Sequence, residues 1–447
     1  MRVLILGGGT VGTSVAEVLC QQRHSVTLVE RNEEIAGRID AEMDITVVTG
    51  AASQSSTLFQ AGVTSADVCF ALTGNDECNM VAASLAKAMG ASRVAARVYS
   101  KIFRDLSTFD YQNHFKIDRF LSIEHLTAME MSRCVRETGT MVIEYFARGQ
   151  LEMQDVIISR GSSATGKKLA DLKFPSEVRI GSINRDGNTR IATANDQIEV
   201  GDRISILGDR SAVEEVKKLF NTQPARKQCV IIAGGGETGY HLAQVLESRR
   251  YSVTIMDSSR DRCDYLASHL QNVTILRSNA LRRRDLEEGR ISEVDIFVSC
   301  TGSDEDNILS CVEAGELGAK MTIAVVTRAD YGNIISRLGI SKAVSPRKVM
   351  AQQVQGLMNA GPIIFRNPYL LGGGIEVLEL EVRQGSPVTR GTLREISLPA
   401  HALIAAVIRE GFVHVPGANH TLYPGDTVIV LIQAGFIPEL IKVFEAD

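Results

Sequence analysis

A glycine-rich stretch near the start of the chain recurs 227 residues later, and this repetition constrains the fold more than any other feature. Residues 2–31 read RVLILGGGTVGTSVAEVLCQQRHSVTLVER, and residues 229–257 read CVIIAGGGETGYHLAQVLESRRYSVTIMD. Each stretch predicts a short apolar strand, a G-x-G-x-x-G turn, a helix and a second strand that ends in an acidic residue. That order is typical of the βαβ unit that binds dinucleotides. The sequence therefore predicts two Rossmann units in one chain.

The glycines of each turn have separate physical tasks. Gly7 lets the chain turn tightly, Gly9 lets the backbone approach a pyrophosphate, and Gly12 lets the helix pack closely on the strand. The helix offers unpaired N–H groups and the positive end of its dipole to the phosphates. We expect Val11, Val15 and Val18 to lie on its one packed face. The predicted cofactor-binding residues of the two turns are Gly7, Gly9, Thr10, Val11 and Gly12 in the first half, and Gly234, Gly236, Glu237, Thr238 and Gly239 in the second.

An acidic residue ends the second strand of each unit. Glu30 and Asp257 lie where a carboxylate accepts hydrogen bonds from the ribose hydroxyls of adenosine. A carboxylate there repels a 2′-phosphate, so both positions favour NAD(H) over NADP(H). Arg31, also a predicted contact, is the one neighbouring feature that favours the phosphorylated cofactor.

Strands and helices continue to alternate after the first unit, which predicts a parallel sheet with right-handed crossovers. We predict strands at 45–50, 68–74 and 93–98, with helices between them. Ligands bind such sheets at the carboxyl ends of the strands. This places Gly50, the turn from Thr73 to Asp76, and Arg97 beside the first glycine turn.

The same order returns in the second half with a shift of 228 residues. Thr73, Asp76 and Asn79 then correspond to Thr301, Asp304 and Asn307. Repetition favours a role at the ligand crevice for this T-G-x-D-E-x-N motif, although the aspartate and asparagine could act only as helix caps.

Arg97 has no charged counterpart, because Val325 occupies the matching position. Arg277, at the end of the predicted third strand, and Arg328 lie near that rim and are the candidates to replace it. We therefore expect the two sites to differ, with the more highly charged ligand in the first.

Short alternating strands replace the βα pattern in residues 140–221 and return, shifted by 224 residues, near the end of the chain. Each segment predicts a small α+β module with a closing helix, and the Gly-Asp pairs at 201–202 and 425–426 suggest turns. The fold class expected is α/β: two tandem Rossmann-like parallel-sheet units, each followed by a small α+β module. The predicted boundaries are 1–137, 140–221, 228–358 and 362–447.

Two helices that leave the Rossmann units, 123–136 and one that begins near Pro346, carry apolar residues that include Met129, Met131 and Val135. We expect these helices to pack on a second copy of the chain.

Composition excludes several classes of protein. A net charge of −5 gives no general attraction for nucleic acid or anionic lipid. No apolar run approaches the roughly 20 residues that span a bilayer, so we expect a cytosolic protein. The eight cysteines form no C-x-x-C pair, and we expect Cys20, Cys69, Cys229 and Cys300 to be reduced core residues rather than metal ligands.

An enzyme is an alternative that the glycine motif allows. An NAD-dependent dehydrogenase needs a proton-transfer residue beside the nicotinamide and a substrate pocket. The eight histidines are scattered, and no catalytic set recurs in both halves, so we assign no catalytic residue.

The tandem order, with GGGTVGTSVAEVL, the acidic strand ends, T-G-N-D-E-x-N and V-x-x-G-D-x-I-x-I-L-G, resembles the RCK (or KTN) regulators of potassium transport. The resemblance implies a cytoplasmic nucleotide sensor that binds NAD(H) and ATP or ADP. It also implies assembly into a ring, as a tetramer, at the inner face of the membrane beneath a membrane-embedded potassium channel subunit of the Trk type. A regulator of another cation transporter is the remaining alternative.

Overall fold

The computed structural model describes residues 1–105, 107–137, 143–146, 151–175, 177–220, 227–247, 251–328, 331–358, 361–367, 374–409 and 412–445. The chain divides into two compact units, and each combines segments from both halves of the sequence. One unit contains residues 1–134 and 227–354, and the other contains residues 135–226 and 355–447. The first holds the two Rossmann lobes and the second holds the two small lobes.

The first Rossmann lobe is a six-stranded parallel sheet. Its strands are β1 (Arg2–Leu6), β2 (Ser25–Glu30), β3 (Thr46–Thr49), β4 (Val68–Ala71), β5 (Arg93–Arg97) and β6 (Arg119–Leu121), in the order β3-β2-β1-β4-β5-β6. Its helices are α1 (Thr10–Gln21), α2 (Glu33–Glu42), α3 (Ser55–Gln60), α4 (Asp76–Ala88), α5 (Tyr111–His114) and α6 (Ile123–Glu137). The order reverses between β1 and β4, which opens a crevice at their carboxyl ends.

Burial explains why the central strands form where they do. All four residues of β4 are buried, as are the last four of β1, and continuous apolar runs are typical of parallel strands covered on both faces. The strand β4 ends at Ala71 rather than at residue 74, because the Thr73 backbone turns away to bond a side chain of α4. The short sixth strand was not predicted.

The packed face of α1 differs from the predicted one. Gly12, Val15, Ala16 and Leu19 are buried, whereas Val11 and Val18 are only half-buried. The small residues Gly12 and Ala16 form part of the contact, so an expectation based on valines alone missed half of that face.

The first small lobe is a five-stranded antiparallel sheet with one closing helix. Its elements are β7 (Ile143–Phe146), β8 (Leu151–Ile157), β9 (Val178–Arg185), β10 (Asn188–Ile191), β11 (Arg203–Gly208) and α7 (Arg210–Phe220), with strand order β10-β9-β11-β8-β7. The Gly201-Asp202 pair does more than turn the chain. The buried Asp202 carboxylate accepts hydrogen bonds from Nε and Nη2 of Arg185, both at 2.8 Å.

The second Rossmann lobe repeats the first. Its strands are β12 (Gln228–Ala233), β13 (Tyr251–Asp257), β14 (Val273–Arg277), β15 (Ile296–Ser299), β16 (Met321–Val325) and β17 (Lys342–Val344), in the order β14-β13-β12-β15-β16-β17. Its helices are α8 (Glu237–Leu246), α9 (Arg260–His269), α10 (Arg283–Glu288), α11 (Asp304–Glu316), α12 (Gly332–Ile335) and α13 (Pro346–Leu357). The matching strand orders confirm the predicted tandem α/β fold.

The second small lobe has the same architecture and shares a core with the first. Its elements are β18 (Ile363–Asn367), β19 (Ile375–Glu381), β20 (Ala402–Arg409), β21 (Phe412–His414), β22 (Thr427–Gln433) and α14 (Ile437–Phe444). Met153 and Leu207 of the first small lobe lie in one buried cluster with Ile375, Val377 and Leu431 of the second. The repeat of the aspartate–arginine contact is also present, between Asp426 and Arg409.

Two expectations about buried residues were wrong. Met131 and Val135 of α6 are fully buried within a single chain, so they are not available to a second copy.

Cys69 and Cys300 are buried as expected, and burial raises the pKa of the Cys300 thiol to about 12. Cys229, however, is exposed.

In the described part of the chain, no helix is long and apolar enough to cross a membrane.

Candidate functional site

The glycine turn between β1 and α1 shows why each of its glycines is needed. Gly7 has a φ of +113°, which favours glycine, and its N–H donates to the Val29 carbonyl at 2.8 Å. At Gly12 a side chain would overlap the carbonyl oxygen of Gly7. The protein's own backbone and packing therefore require these two glycines.

Gly9 is different, because nothing in the protein requires it to be glycine. Its φ and ψ of −71° and −177° suit any residue, and an added Cβ would meet no atom within 4 Å. Gly236 has the same properties, with φ and ψ of −58° and −175° and open space around an added Cβ. Each residue immediately precedes the helix of its glycine turn. The open space at both positions fits a ligand that approaches the backbone closely.

The acidic strand ends hold the glycine turns in place. Glu30 accepts hydrogen bonds from the N–H of Gly8 at 2.7 Å and of Asn32 at 2.9 Å. Asp257 repeats this arrangement with the N–H of Gly235 at 2.7 Å and of Ser259 at 2.8 Å. A carboxylate has about four acceptor positions, so each retains capacity for ribose hydroxyls.

In the T-G-x-D-E-x-N motif that follows β4, the final asparagine is a buried brace between strand ends and not a helix cap. The cap of α4 is Asn75, whose side chain accepts from the Cys78 N–H. Asn79 is fully buried, accepts from the Thr73 N–H at 2.8 Å, and donates to the Arg97 carbonyl at 3.0 Å. It therefore ties the end of β4 to the end of β5.

The second half repeats this brace. Asn307 accepts from the Thr301 N–H at 2.7 Å and donates to the Val325 carbonyl at 2.9 Å. The alternative that these asparagines act only as caps is excluded by this geometry.

The aspartate of the motif holds the segment that follows the fifth strand. Asp76 accepts from the N–H groups of Tyr99 at 2.9 Å and Ser100 at 2.7 Å. In the same way, Asp304 accepts from the N–H groups of Thr327 and Arg328, both at 2.9 Å. Both carboxylates thus shape the rim of the crevice through the backbone.

Arg97 lies at the predicted place, at the end of β5, and it already has an acidic partner. Its Nη2 lies 3.3 Å from the Glu124 carboxylate, while its Nε is buried with no hydrogen-bond acceptor among the described residues. Arg97 lines a cavity of about 210 Å³ together with Thr10 and Val11 of the first lobe and residues of the second Rossmann lobe that include Thr327 and Arg347.

The remaining predicted residues have less defined roles. Gly50 donates its N–H to the Glu30 carbonyl at 2.9 Å, and Arg31 is exposed beside it. Arg277 is exposed at the end of β14, opposite Asp257 in the strand register. Thr238 is half-buried in the first turn of α8.

Sequence reasoning missed Arg262, a residue of α9 that lies over the second glycine turn. Its Nε donates to the Gly235 carbonyl, and its Nη2 lies 3.0 Å from the Glu237 carboxylate. Its guanidinium also lies 4.7 Å from the centre of the Tyr265 ring. The corresponding residue of the first half is Ile35, so no repeated pattern could indicate it.

The structure also brings together two histidines that are far apart in sequence. The ring centres of His125 and His241 lie 5.3 Å apart, edge to face. Nη2 of Arg104 lies 3.1 Å from Nε2 of His241. Burial, with help from Arg104 and His241, lowers the pKa of His125 to about 3. A ring with this pKa is neutral near pH 7 and is a poor general base there. Among the described residues no group of three His, Cys, Asp or Glu side chains could hold a metal ion.

Fold and site together define a class: chains in which two Rossmann lobes with glycine turns and acidic strand ends alternate with two small α+β lobes. The sequence matches the TrkA-N domain at residues 3–108 and 230–346 and the TrkA-C domain at residues 153–221 and 377–445. The chain therefore belongs to the TrkA family, as the resemblance to RCK regulators predicted.

Curated relatives match over their full length. The Trk system potassium uptake protein TrkA homolog of Archaeoglobus fulgidus is 30% identical over 444 residues, which is 99% of this chain and 100% of the relative. The Trk system potassium uptake protein TrkA of Azorhizobium caulinodans is 28% identical over 100% of this chain and 99% of its own length. These relatives are named as potassium uptake proteins and not as enzymes.

Solved structures share the fold at low sequence identity. A GsuK channel bound to NAD gives a TM-score of 0.61 at 15% identity, over 98% of this chain and 78% of that one. A GsuK structure bound to ADP gives a TM-score of 0.51 at 12% identity, over 80% of this chain and 68% of that one.

Proposed function

We propose that this chain is a nucleotide-sensing regulatory subunit of a potassium-uptake system. It binds NAD(H) and adenine nucleotides in its two Rossmann lobes, 1–137 and 228–358, and uses that binding to gate a membrane-embedded channel subunit of the Trk type. It acts in the cytoplasm, at the inner face of the membrane, as a ring of about four copies, and it catalyses no reaction.

The observation that carries the proposal is the open space at Gly9 and Gly236. Neither the backbone angles nor the packing of the protein requires glycine there, yet in both lobes a glycine stands directly before the N-terminus of the helix. A ligand whose pyrophosphate contacts the backbone supplies the missing requirement. The site residues given above for the two turns, together with Glu30, Asp257 and Arg97, are the proposed binding residues.

Names of related proteins support the choice of ligands and of system. The relatives are named for potassium uptake, and the GsuK structures are named as bound to NAD and to ADP. Binding alone gates nothing, because a ligand shifts a conformational equilibrium only when it binds the two states unequally. Couplings of this kind are typically about 1–3 kcal/mol.

Calorimetry on the purified full-length chain tests the binding step. NADH, NAD, NADPH, ATP and ADP would be titrated against the wild type, Gly9→Ala and Gly236→Ala. Since an added Cβ meets no protein atom at either position, both variants should fold normally and lose at least about tenfold in affinity at the altered site.

Gly37→Ala is the matched control, because an added Cβ is also free of contacts there and the residue lies in α2. It should bind nucleotides as the wild type does. Unchanged affinity in both turn variants would contradict the proposed site, and steady NADH consumption with a small carbonyl substrate would contradict a regulatory role. NADPH affinity equal to that of NADH would contradict the roles of Glu30 and Asp257.

Potassium flux tests the gating step. Vesicles that contain a Trk-type channel subunit should change their flux when this chain and a nucleotide are both present, and not when either is omitted. A flux that is indifferent to nucleotide in the presence of the chain would leave only the binding function.

A further inference from the structure

The second glycine turn is covered by an ion pair that the first turn lacks. Glu237 opens α8, directly after Gly236, and its carboxylate lies 3.0 Å from Nη2 of Arg262. The Nε of Arg262 donates to the carbonyl of Gly235 on the other side of Gly236. The Glu237 and Arg262 side chains keep only 16% and 24% of their surface exposed, so most of the pair is shielded from solvent.

The first turn has uncharged residues at both corresponding positions. Thr10 opens α1 where Glu237 opens α8, and Ile35 stands where Arg262 stands. The surrounding geometry is otherwise repeated, because Glu30 and Asp257 make the same contacts to their turns. The two turns therefore present the same backbone to a ligand with different charges beside it.

The position of Glu237 determines the electrostatic consequence. A carboxylate in the first turn of a helix interacts favourably with the positive end of the helix dipole, which is the same feature that attracts phosphate. Glu237 thus competes with ligand phosphates, and every additional phosphate charge increases the repulsion. Arg262 partly offsets this repulsion, since it can turn its remaining donors toward one anionic group.

We infer that Glu237 and Arg262 are charge-selecting residues of the second site: they admit a dinucleotide diphosphate such as NADH and disfavour a nucleoside triphosphate. The first site, with Thr10 and Arg97, has the opposite preference. This inference rests on the proposed nucleotide-binding function. The difference in ligand preference between the two sites, already expected because Val325 replaces Arg97, then has a second cause. That cause is the charged pair at the second glycine turn.

A reciprocal exchange tests the inference. By calorimetry with ATP and NADH, the second site is measured in a Gly9→Ala background, which weakens the first site, and the first site is measured in a Gly236→Ala background, which weakens the second. Glu237→Thr should raise the ratio of ATP to NADH affinity at the second site by about tenfold, because it removes one negative charge next to the phosphates. Thr10→Glu should lower the same ratio at the first site by a similar factor.

Arg262→Gln gives an independent readout, because it leaves Glu237 without its cation. The second site should then lose affinity for both ligands, and more for ATP than for NADH. Glu237→Thr and Thr10→Glu each introduce the residue that already opens the corresponding helix of the other lobe. Melting temperatures near that of the wild type show that the variants fold.

The outcomes separate the two proposals. If the wild type binds no nucleotide at either site, the proposed function fails. If both sites bind but the ratio of ATP to NADH affinity is unchanged in Glu237→Thr and in Thr10→Glu, the charge-selecting role is overturned and the nucleotide-binding function stands.

Discussion

Asn79 and Asn307 are the buried polar residues on which the shape of both crevices depends. Each accepts hydrogen bonds from a threonine on one strand end and donates to the carbonyl of the next strand end. The amide side chain of asparagine suits this position because it carries both an acceptor and two donors. The repeated motif is therefore first a structural brace, and it fixes the backbone that a ligand would meet.

Replacing either asparagine by alanine should destabilise its own lobe. Asn79→Ala leaves the N–H of Thr73 and the carbonyl of Arg97 without their partner, and leaving buried polar groups unsatisfied costs about 1–3 kcal/mol each. Urea denaturation followed by circular dichroism measures the loss, with Asn307→Ala as the matched variant of the second lobe. A midpoint equal to that of the wild type would contradict the brace.

Arg97 is the residue from which we expect the largest difference between the sites. Arg97→Ala should weaken ATP binding at the first site by about 1.5–3 kcal/mol, the scale of hydrogen bonds to charged groups, and leave the second site unchanged. Arg93→Ala, at the other end of the same strand, is the control.

The ion pair of Arg97 with Glu124 adds a second test of this residue. Glu124 competes with phosphate for the guanidinium, so Glu124→Gln should strengthen ATP binding at the first site. Calorimetry measures both variants. A first site that is indifferent to the loss of Arg97 would show that the asymmetry has another origin.

At the scale of the element, three adjacent strands of the first small lobe carry a buried polar cluster. Asp155 on β8, Ser205 on β11 and Ser182 on β9 are register partners, and Ser205 Oγ lies 2.5 Å from Asp155 and 2.8 Å from Ser182. Burial raises the pKa of Asp155 to about 6, against the opposing effects of the Ser205 hydrogen bond and of Arg203. The folded lobe therefore prefers a protonated Asp155.

This preference predicts a pH dependence with a definite sign. The stabilisation is fully present below the unfolded pKa of about 3.9 and is lost as the pH rises through the folded pKa of about 6. Relative to Asp155→Asn, the wild type should lose up to about 3 kcal/mol of unfolding free energy between pH 4 and pH 7. Urea titrations of both proteins across that range measure the difference, and parallel curves would contradict the shift.

At the scale of the whole molecule, the doubled architecture makes assembly the central prediction. Within the chain, α6 buries Met131 and Val135 and leaves Met129 half-buried, so Met131 and Val135 do not contribute to an assembly surface. Exposed apolar residues occupy matched positions of α4 and α11, namely Val81 and Leu309.

We expect light scattering to give a mass about four times the 48.6 kDa of one chain, since a ring is the form in which nucleotide binding can act on a channel. The measurement would be made across a range of protein concentrations, with and without NADH or ATP. A monomer under all of these conditions would contradict the ring and, with it, the gating mechanism.

Local sequence patterns were enough to predict the tandem α/β architecture and the position of both glycine turns. These features follow from local patterns: apolar runs of strand length, glycines at fixed spacing and acids at strand ends, each of which acts within a few residues. The repeat then gave each local pattern a second, independent instance. The ends of strands were harder to predict from the sequence, because the end of β4 depends on a hydrogen bond to Asn79.

The contacts between distant side chains could not be predicted in this way, because they depend on how the helices pack onto the sheets. The contacts of Arg262 with Gly235 and Glu237, of Arg104 and His125 with His241, and of Glu124 with Arg97 join residues that no local pattern relates. Their physical origin is the packing of helices onto sheets, which sets neighbours across 25 to more than 100 residues. The same packing took Met131 and Val135 out of reach of a second copy. It also placed the ion pair of Glu237 and Arg262 over the second glycine turn.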